Sequence, residues 1–291
     1  MSVRYATSWK TQSKVRYLNV AAQINQAYYF DKFLGMIVTG VQRVGKSSYS
    51  MKCLAQAAGK WERDSEGLLC VESDYEAVKP WVVFLPREFL NLVFTYDEEK
   101  QRAAIWDDAG FWLFALDWYQ PFVKSVSRYI QLAGTQFSTL IMTTPDQTLI
   151  SGKVLQSLPK MKLCEVREFG RETYKCRPRI TTVYEKWTWS DGKRGGVRKK
   201  WTDRFNAMLP DYFYDQWYFP KRQSYLVEAR RVLKKDTTEL ERKTTAFERT
   251  GETEAYNMEQ VIKVVGDESK LKEVNEVLDI LAANDTAKRS G

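Results

Sequence analysis

The 291-residue sequence predicts an α/β fold: a mostly parallel sheet between helices, followed by a basic β-hairpin region and a short helical C-terminal tail. Three observations carry this. Short apolar runs of the kind buried parallel strands need alternate with segments of helical periodicity. A glycine-rich loop, Gly40-Val41-Gln42-Arg43-Val44-Gly45-Lys46-Ser47, follows the first such run directly and opens a helix. An acidic pair, Asp107-Asp108, ends another apolar run. Loop and pair therefore both sit at carboxyl ends of strands, where parallel sheets place their ligands.

Taken in order, Val20–Phe30 has the character of a helix, and Leu34–Thr39 reads as a buried strand. Ser47–Ala58 follows as a helix, with Tyr49, Cys53, Leu54 and Ala57 at helical spacing and Gly59 as its stop. Trp81–Leu85 reads as a strand, and Pro86–Phe94 as a helix with proline in its first turn. Ala103–Trp106 is a strand leading into the acidic pair, Pro121–Leu132 a helix, and Ser138–Thr143 a further buried strand. Beyond Met161 the pattern changes to β-branched, aromatic and basic residues. Asp191-Gly192 lies between Thr181–Trp189 and Val197–Phe205 and signals a hairpin. Residues 236–255 read as a charged linker, and Glu268–Ala283 as an amphipathic helix with Leu271, Val274, Leu278 and Leu281 on one face. The expected division is a core at 1–160, a basic aromatic β-rich extension at 161–233 packed on it, and a linker with a C-terminal helix at 234–291.

The glycine-rich loop has a mechanical purpose. Its glycines permit a turn whose backbone N–H groups point inward at phosphate oxygens, and the following helix adds the partial positive charge of its N-terminus. The expected phosphate-binding set is Gly40, Val41, Gln42, Arg43, Val44, Gly45, Lys46, Ser47 and Ser48. Lys46 is placed to reach the terminal phosphates, and the Ser47 hydroxyl to ligate Mg²⁺. The competing reading of Asp107-Asp108 is a simple turn, with the pair capping a helix over Ala109–Leu116.

On these residues the chain resembles the P-loop NTPase superfamily, and over roughly residues 20–160 its additional-strand ATPases (the AAA-type, RecA-like and FtsK/HerA-like groups). The resemblance implies a three-layer sandwich, ATP as ligand and hydrolysis as activity. It implies that Asp107 holds the metal shell and that Asp108 stands where the family carries a catalytic glutamate, one methylene longer. It also implies a polar residue ending the strand between the two nucleotide-binding strands; Thr143 or Thr144 fits, and Thr144 is taken with Asp108 and Lys46 as the expected catalytic set. An arginine donated by a neighbouring subunit is common in the family, with Arg128, Arg167 and Arg171 as candidates. No guanine-reading NKxD-type motif is present, which favours ATP over GTP. The small size and basic tail resemble ATPases carried by viruses and plasmids.

Composition narrows the rest. Histidine is absent, so imidazole bases and metal sites are excluded, and proton transfer falls to carboxylates, Lys, Tyr or water. The four cysteines have no metal-like spacing and read as reduced, which points to the cytoplasm. No run is long and apolar enough for stable membrane insertion. The net charge is +8. Residues 160–204 hold 14 Lys and Arg against 6 Asp and Glu, which accounts for the whole surplus. Basic and aromatic residues interleave there, among them Arg177, Arg179, Tyr184, Lys186, Trp187, Arg198, Lys199, Lys200 and Trp201. Cations meet phosphates and rings stack on bases, so the expected partner is DNA. The bland alternative is a twisted hairpin whose Lys and Arg merely face water. The full expectation is an oligomeric DNA motor or remodelling ATPase, with a hexameric ring as one form; the alternatives are a nucleotide-gated assembly switch or a P-loop kinase.

Overall fold

The structure, a computed structural model, describes residues 17–250 apart from 66, 68, 95–99, 116–120, 159–160, 175 and 189–194. The hairpin turn at Asp191-Gly192 and the expected helix at 268–283 lie outside the described residues. The chain divides into two compact units, Met1–Tyr225 and Leu226–Gly291.

The first unit is built on a seven-stranded sheet. In chain order its elements begin with α1 (Asn19–Tyr29), β1 (Leu34–Thr39) and α2 (Lys46–Ala58). A small antiparallel pair follows, β2 (Lys60–Arg63) with β3 (Leu69–Glu72). Then come β4 (Val82–Val83), α3 (Pro86–Phe94), β5 (Ala104–Trp106), the short α4 (Ala109–Trp112) and α5 (Pro121–Ala133). They are followed by β6 (Thr139–Thr143), α6 (Gly152–Ser157), β7 (Lys162–Glu168), β8 (Pro178–Thr188) and β9 (Gly195–Asn206). The strand order is β4-β5-β6-β1-β7-β8-β9. Strands β4 to β7 are all parallel, while β8 and β9 run antiparallel as a long hairpin. Strand β6 thus lies between the strand that feeds the glycine-rich loop and the strand that ends in the acidic pair.

Burial explains why these segments are strands. Every residue of β1, β5 and β6 is buried, as expected for strands covered on both faces. One face packs on α5 and α6: Ile37, Leu140 and Met142 meet Val123, Val126, Ile130 and Val154 in one apolar cluster. Val123, Val126, Ile130 and Ala133 repeat at helical spacing, so α5 forms from its own amphipathic stripe. The opposite face carries α1 and α2. There Tyr49 packs its ring on Phe205, with centroids 5.0 Å apart, and its hydroxyl donates to the buried Asp203 at 2.7 Å.

Asp203 ties three elements together. α1 begins after Leu18 with no side-chain cap of its own. Instead Asp203, on β9, accepts from Asn19 N at 3.0 Å, from Val20 N at 3.4 Å and from the Asn19 side chain at 2.6 Å. A carboxylate borrowed from the sheet thereby satisfies the free N–H groups of a helix start. The pairing of β8 with β9 slips between Val183 and Tyr184, leaving Lys200 as an extra residue on β9.

After β9 the chain turns through α7 (Asp211–Phe213), widens into a π-helical turn at Tyr214–Tyr218 and continues as α8 (Phe219–Thr250). Pro220 accounts for the widening, since its ring crowds the preceding turn and it lacks an N–H to close an ordinary turn. In the second unit α8 runs on to Thr250, so 236–250 is helical where charge alone suggests a linker. Among the described residues no helix is long and apolar enough to cross a membrane.

Candidate functional site

The site forms at the carboxyl ends of β1, β5 and β6. β1 runs into Gly40, whose φ is 142°, and the loop closes at Gly45, whose φ is 103°. Neither position tolerates a side chain easily: a Cβ on Gly40 would lie 2.5 Å from the Val166 carbonyl oxygen, and one on Gly45 would lie 2.9 Å from the Ala207 Cβ. Arg43 also adopts a positive φ, 63°. The loop thus wraps back so that Lys46, at the first position of α2, donates from Nζ to Gly40 O at 2.8 Å and to Val41 O at 2.9 Å. Lys46 is only 8% exposed, and burial pulls its pKa below the ordinary lysine value against the upward pull of Asp108 and Asp107. As the opening residues of a 13-residue helix, Lys46, Ser47 and Ser48 have N–H groups with no intrahelical acceptor. Those donors and the Lys46 ammonium make a cradle for an anion of phosphate size.

The loop is braced from the hairpin. Arg179 of β8, itself 3% exposed, donates from Nε to the Val44 carbonyl at 2.8 Å and pairs with Glu172. Sequence spacing holds no hint of this contact, because Arg179 lies 135 residues beyond Val44.

Asp107 is fully buried and accepts three hydroxyls. Ser47 Oγ donates to its Oδ1 at 2.7 Å, Thr143 Oγ1 donates to the same oxygen at 2.6 Å, and Tyr218 OH donates to Oδ2 at 2.9 Å. Ser47 and Asp107 therefore present hydroxyl and carboxylate oxygens side by side, a donor set suited to a hard divalent cation such as Mg²⁺. Burial and the charge of Asp107 hold the Tyr218 phenol well above its usual pKa, so it remains a donor.

Asp108 sits in the left-handed region, with φ 55° and ψ 34°, directly before α4. Its side chain makes no capping bond, so the capping account of the acidic pair is not what the local geometry displays. Its backbone N–H donates to Thr143 Oγ1 at 2.8 Å, and Arg222 Nη2 lies 3.7 Å from its Oδ2. Burial, with the neighbouring Asp107 charge second, pushes its pKa up to about 6, against the pull of Arg222 and Lys46. A carboxylate held near neutrality beside a cation cradle has the proton affinity a general base requires.

Of the two threonines at the end of β6, Thr143 joins the acidic pair. Thr144 is buried, and its hydroxyl donates to Asp146 O at 2.8 Å. Of the three arginines read as candidates for a neighbour's site, Arg167 pairs with Glu165 on its own strand. Sequence reasoning missed Tyr218 and Arg222 altogether. The run 211–219 is so aromatic that it suits core packing or a subunit contact, and nothing in its spacing ties it to a carboxylate 111 residues earlier.

The strand order places one strand between the two that carry the loop and the acidic pair, as the resemblance to the P-loop NTPases implies. No family model matches the chain. It is similar to the uncharacterized protein B-251 of Sulfolobus spindle-shape virus 1, 25% identical over 229 residues that cover 74% of this chain and 84% of that protein. Among solved structures it is similar to the genome packaging NTPase B204 from Sulfolobus turreted icosahedral virus 2 in complex with ATP-gammaS, with a TM-score of 0.29 and 13% identity, covering 59% of this chain and 98% of that one. It is also similar to the N-terminal domain of zonular occludens toxin from Neisseria meningitidis, with a TM-score of 0.34 and 11% identity, covering 63% and 98%. No residue role in this chain depends on these likenesses.

Proposed function

We propose that this protein binds Mg²⁺-ATP in the loop between β1 and α2 and hydrolyses it, using the energy to act on DNA as an oligomeric motor or remodelling enzyme. The observation that carries the reading is the convergence on Asp107: Ser47 from the loop and Thr143 from the inserted strand share one carboxylate oxygen. With Lys46 and Asp108 beside it, the groups this reading assigns to phosphate binding and to preparing a water lie together at the carboxyl ends of β1, β5 and β6.

In this reading the N–H groups opening α2 and the Lys46 ammonium take the β- and γ-phosphates, and Lys46 exchanges its two loop carbonyls for phosphate oxygens. Mg²⁺, held by Ser47 and through water by Asp107, would neutralise charge on the phosphate chain. Asp108 accepts the proton of the attacking water. Thr143 fixes both acids: its hydroxyl donates to Asp107, and its Oγ1 accepts from the Asp108 backbone N–H. The DNA part rests on the charge concentrated between 160 and 204, where Arg198 and Lys199 on β9 and Arg177 beside β8 are exposed.

One observation favours a second reading, a nucleotide-gated assembly switch with slow turnover. Asp108 already faces Arg222, and a carboxylate held by a cation is a poorer base. Both readings meet one experiment: ATP hydrolysis by the purified protein with and without single- and double-stranded DNA, beside Lys46→Ala and Asp108→Asn. The motor reading expects turnover that rises with DNA, and a fall of at least about 100-fold in each variant. ATP binding with no DNA-dependent turnover refutes it in favour of the switch.

A further inference from the structure

The helix that follows β9 brings a second cation to the same site, on the same chain. Tyr218 and Arg222 are four residues apart and so share one face. Three of Arg222's neighbours anchor that helix segment firmly. Tyr218 donates to Asp107 at 2.9 Å, Lys221 Nζ donates to the Val82 carbonyl at 2.6 Å, and the Tyr225 ring stacks on Phe84 with centroids 5.3 Å apart. Arg222 itself is held loosely. Its Nη2 stands 3.7 Å from Asp108 Oδ2, beyond hydrogen-bond length, and its Nε is buried with no partner among the described residues. A buried guanidinium N–H without an acceptor is costly, and it persists where a ligand completes it. The charge of Arg222 also bears on Lys46, adding to the burial that pulls its pKa down, while Asp108 and Asp107 pull it up. Arg222 therefore stands beside the acidic pair with one guanidinium N–H still unbonded, which is what an arriving anion would complete.

We propose that Arg222 binds the γ-phosphate of ATP in its own subunit, so that this chain supplies from its C-terminal helix the arginine that distinguishes a triphosphate from a diphosphate. The inference rests on the nucleotide reading above and deepens it. Arg222 leaves the vicinity of Asp108 when the γ-phosphate arrives, which places Nε and an Nη on phosphate oxygens and frees Asp108 to face water. With ADP no acceptor reaches Arg222, and it stays where the structure has it. Because Tyr218, Lys221 and Tyr225 anchor the helix, removing the Arg222 side chain leaves the segment in place.

The test is a pair of binding measurements in Mg²⁺ buffer, with a non-hydrolysable ATP analogue and with ADP, on the full chain and on Arg222→Ala and Arg222→Lys. The expected result is a weakening of about 10- to 100-fold in affinity for the triphosphate in Arg222→Ala, the range for a charge-assisted contact. ADP affinity stays within about twofold, and Arg222→Lys recovers part of the difference. Equal weakening for both nucleotides, or none for either, overturns the proposal. If the unaltered protein binds neither nucleotide, the nucleotide reading falls and takes this inference with it. A second arm mixes Arg222→Ala subunits with Lys46→Ala subunits and measures hydrolysis. An arginine acting within its own subunit gives no recovery, whereas regained activity marks a neighbour's arginine and overturns the proposal.

Discussion

At the scale of single residues, the feature with the clearest energetic signature is Asp108. Its pKa is pushed up to about 6 from 3.8, by burial first and by Asp107 second. A carboxyl group whose folded-state pKa is raised prefers to be protonated in the fold, so its ionised form opposes folding. That penalty is fully present above pH 6 and is relieved as the pH falls through 6 toward 4. The nucleotide-free protein is therefore expected to gain stability at this residue on mild acidification. Asp108→Asn, neutral at every pH, is expected to be more stable than the parent at pH 7.5 by about 1–3 kcal/mol, with the gap roughly halved at pH 5. Denaturant unfolding at the two pH values measures it. A variant less stable than the parent at pH 7.5 would mean that Arg222 and Lys46 outweigh burial. Stability held back at a single acid is what a group kept ready for chemistry costs. Its left-handed backbone conformation belongs to the same account, since aspartate is among the few side chains that adopt it.

At the scale of elements, the hairpin β8–β9 is wired into the half that carries the glycine-rich loop at two points. Arg179 braces the Val44 carbonyl of the loop, and Asp203 caps α1 while accepting the Tyr49 hydroxyl of α2. Asp203→Ala leaves two helix N–H groups and a buried phenol without their acceptor. Urea unfolding of that variant is expected to show a destabilisation of about 2–4 kcal/mol; a change under about 1 kcal/mol would mean that water replaces the carboxylate. These ties also mark where the sequence was readable. The strands β1, β5 and β6 and the helices α2, α3 and α5 were legible within a residue or two, because each is specified by its own apolar period and its own stop signals. The loop and the acidic pair were legible because their chemistry is contiguous along the chain. Arg179, Asp203, Tyr218 and Arg222 were not, because each acts on a partner more than a hundred residues away and carries no local pattern that says so. The π-helical turn belongs with them: Pro220 was visible, but its consequence depended on whether that segment was helical at all. Charge misled in one place, since the charged residues over 236–250 suit a solvated helix as well as they suit a linker.

At the scale of the whole molecule, the open matter is what the basic sheet edge is for. Strand β9 is the last strand of the sheet, and exposed cations on an edge strand have a use unrelated to DNA: they prevent edge-to-edge pairing with other chains. Arg198, Lys199 and Arg204 are exposed there, Arg204 with its guanidinium over the Phe169 ring at 4.7 Å, while Lys200 pairs with Glu185. Some cations of this region are thus engaged within the fold, and others face outward. Counterion release separates the two uses. Taking one cation away from a phosphate makes log affinity fall less steeply with log salt, by about 0.9 for duplex DNA and about 0.7 for a single strand. Arg198→Ala with Lys199→Ala is therefore expected to reduce that slope by about 1.4–1.8 and to leave DNA-independent ATP hydrolysis unchanged, since both residues lie on β9, away from the glycine-rich loop and the acidic pair in the sheet order. Binding titrations across a range of salt concentrations give the slopes. An unchanged slope together with a rise in aggregation would assign the basic edge to self-protection. A reduced slope with aggregation unaltered would assign it to the polyanion.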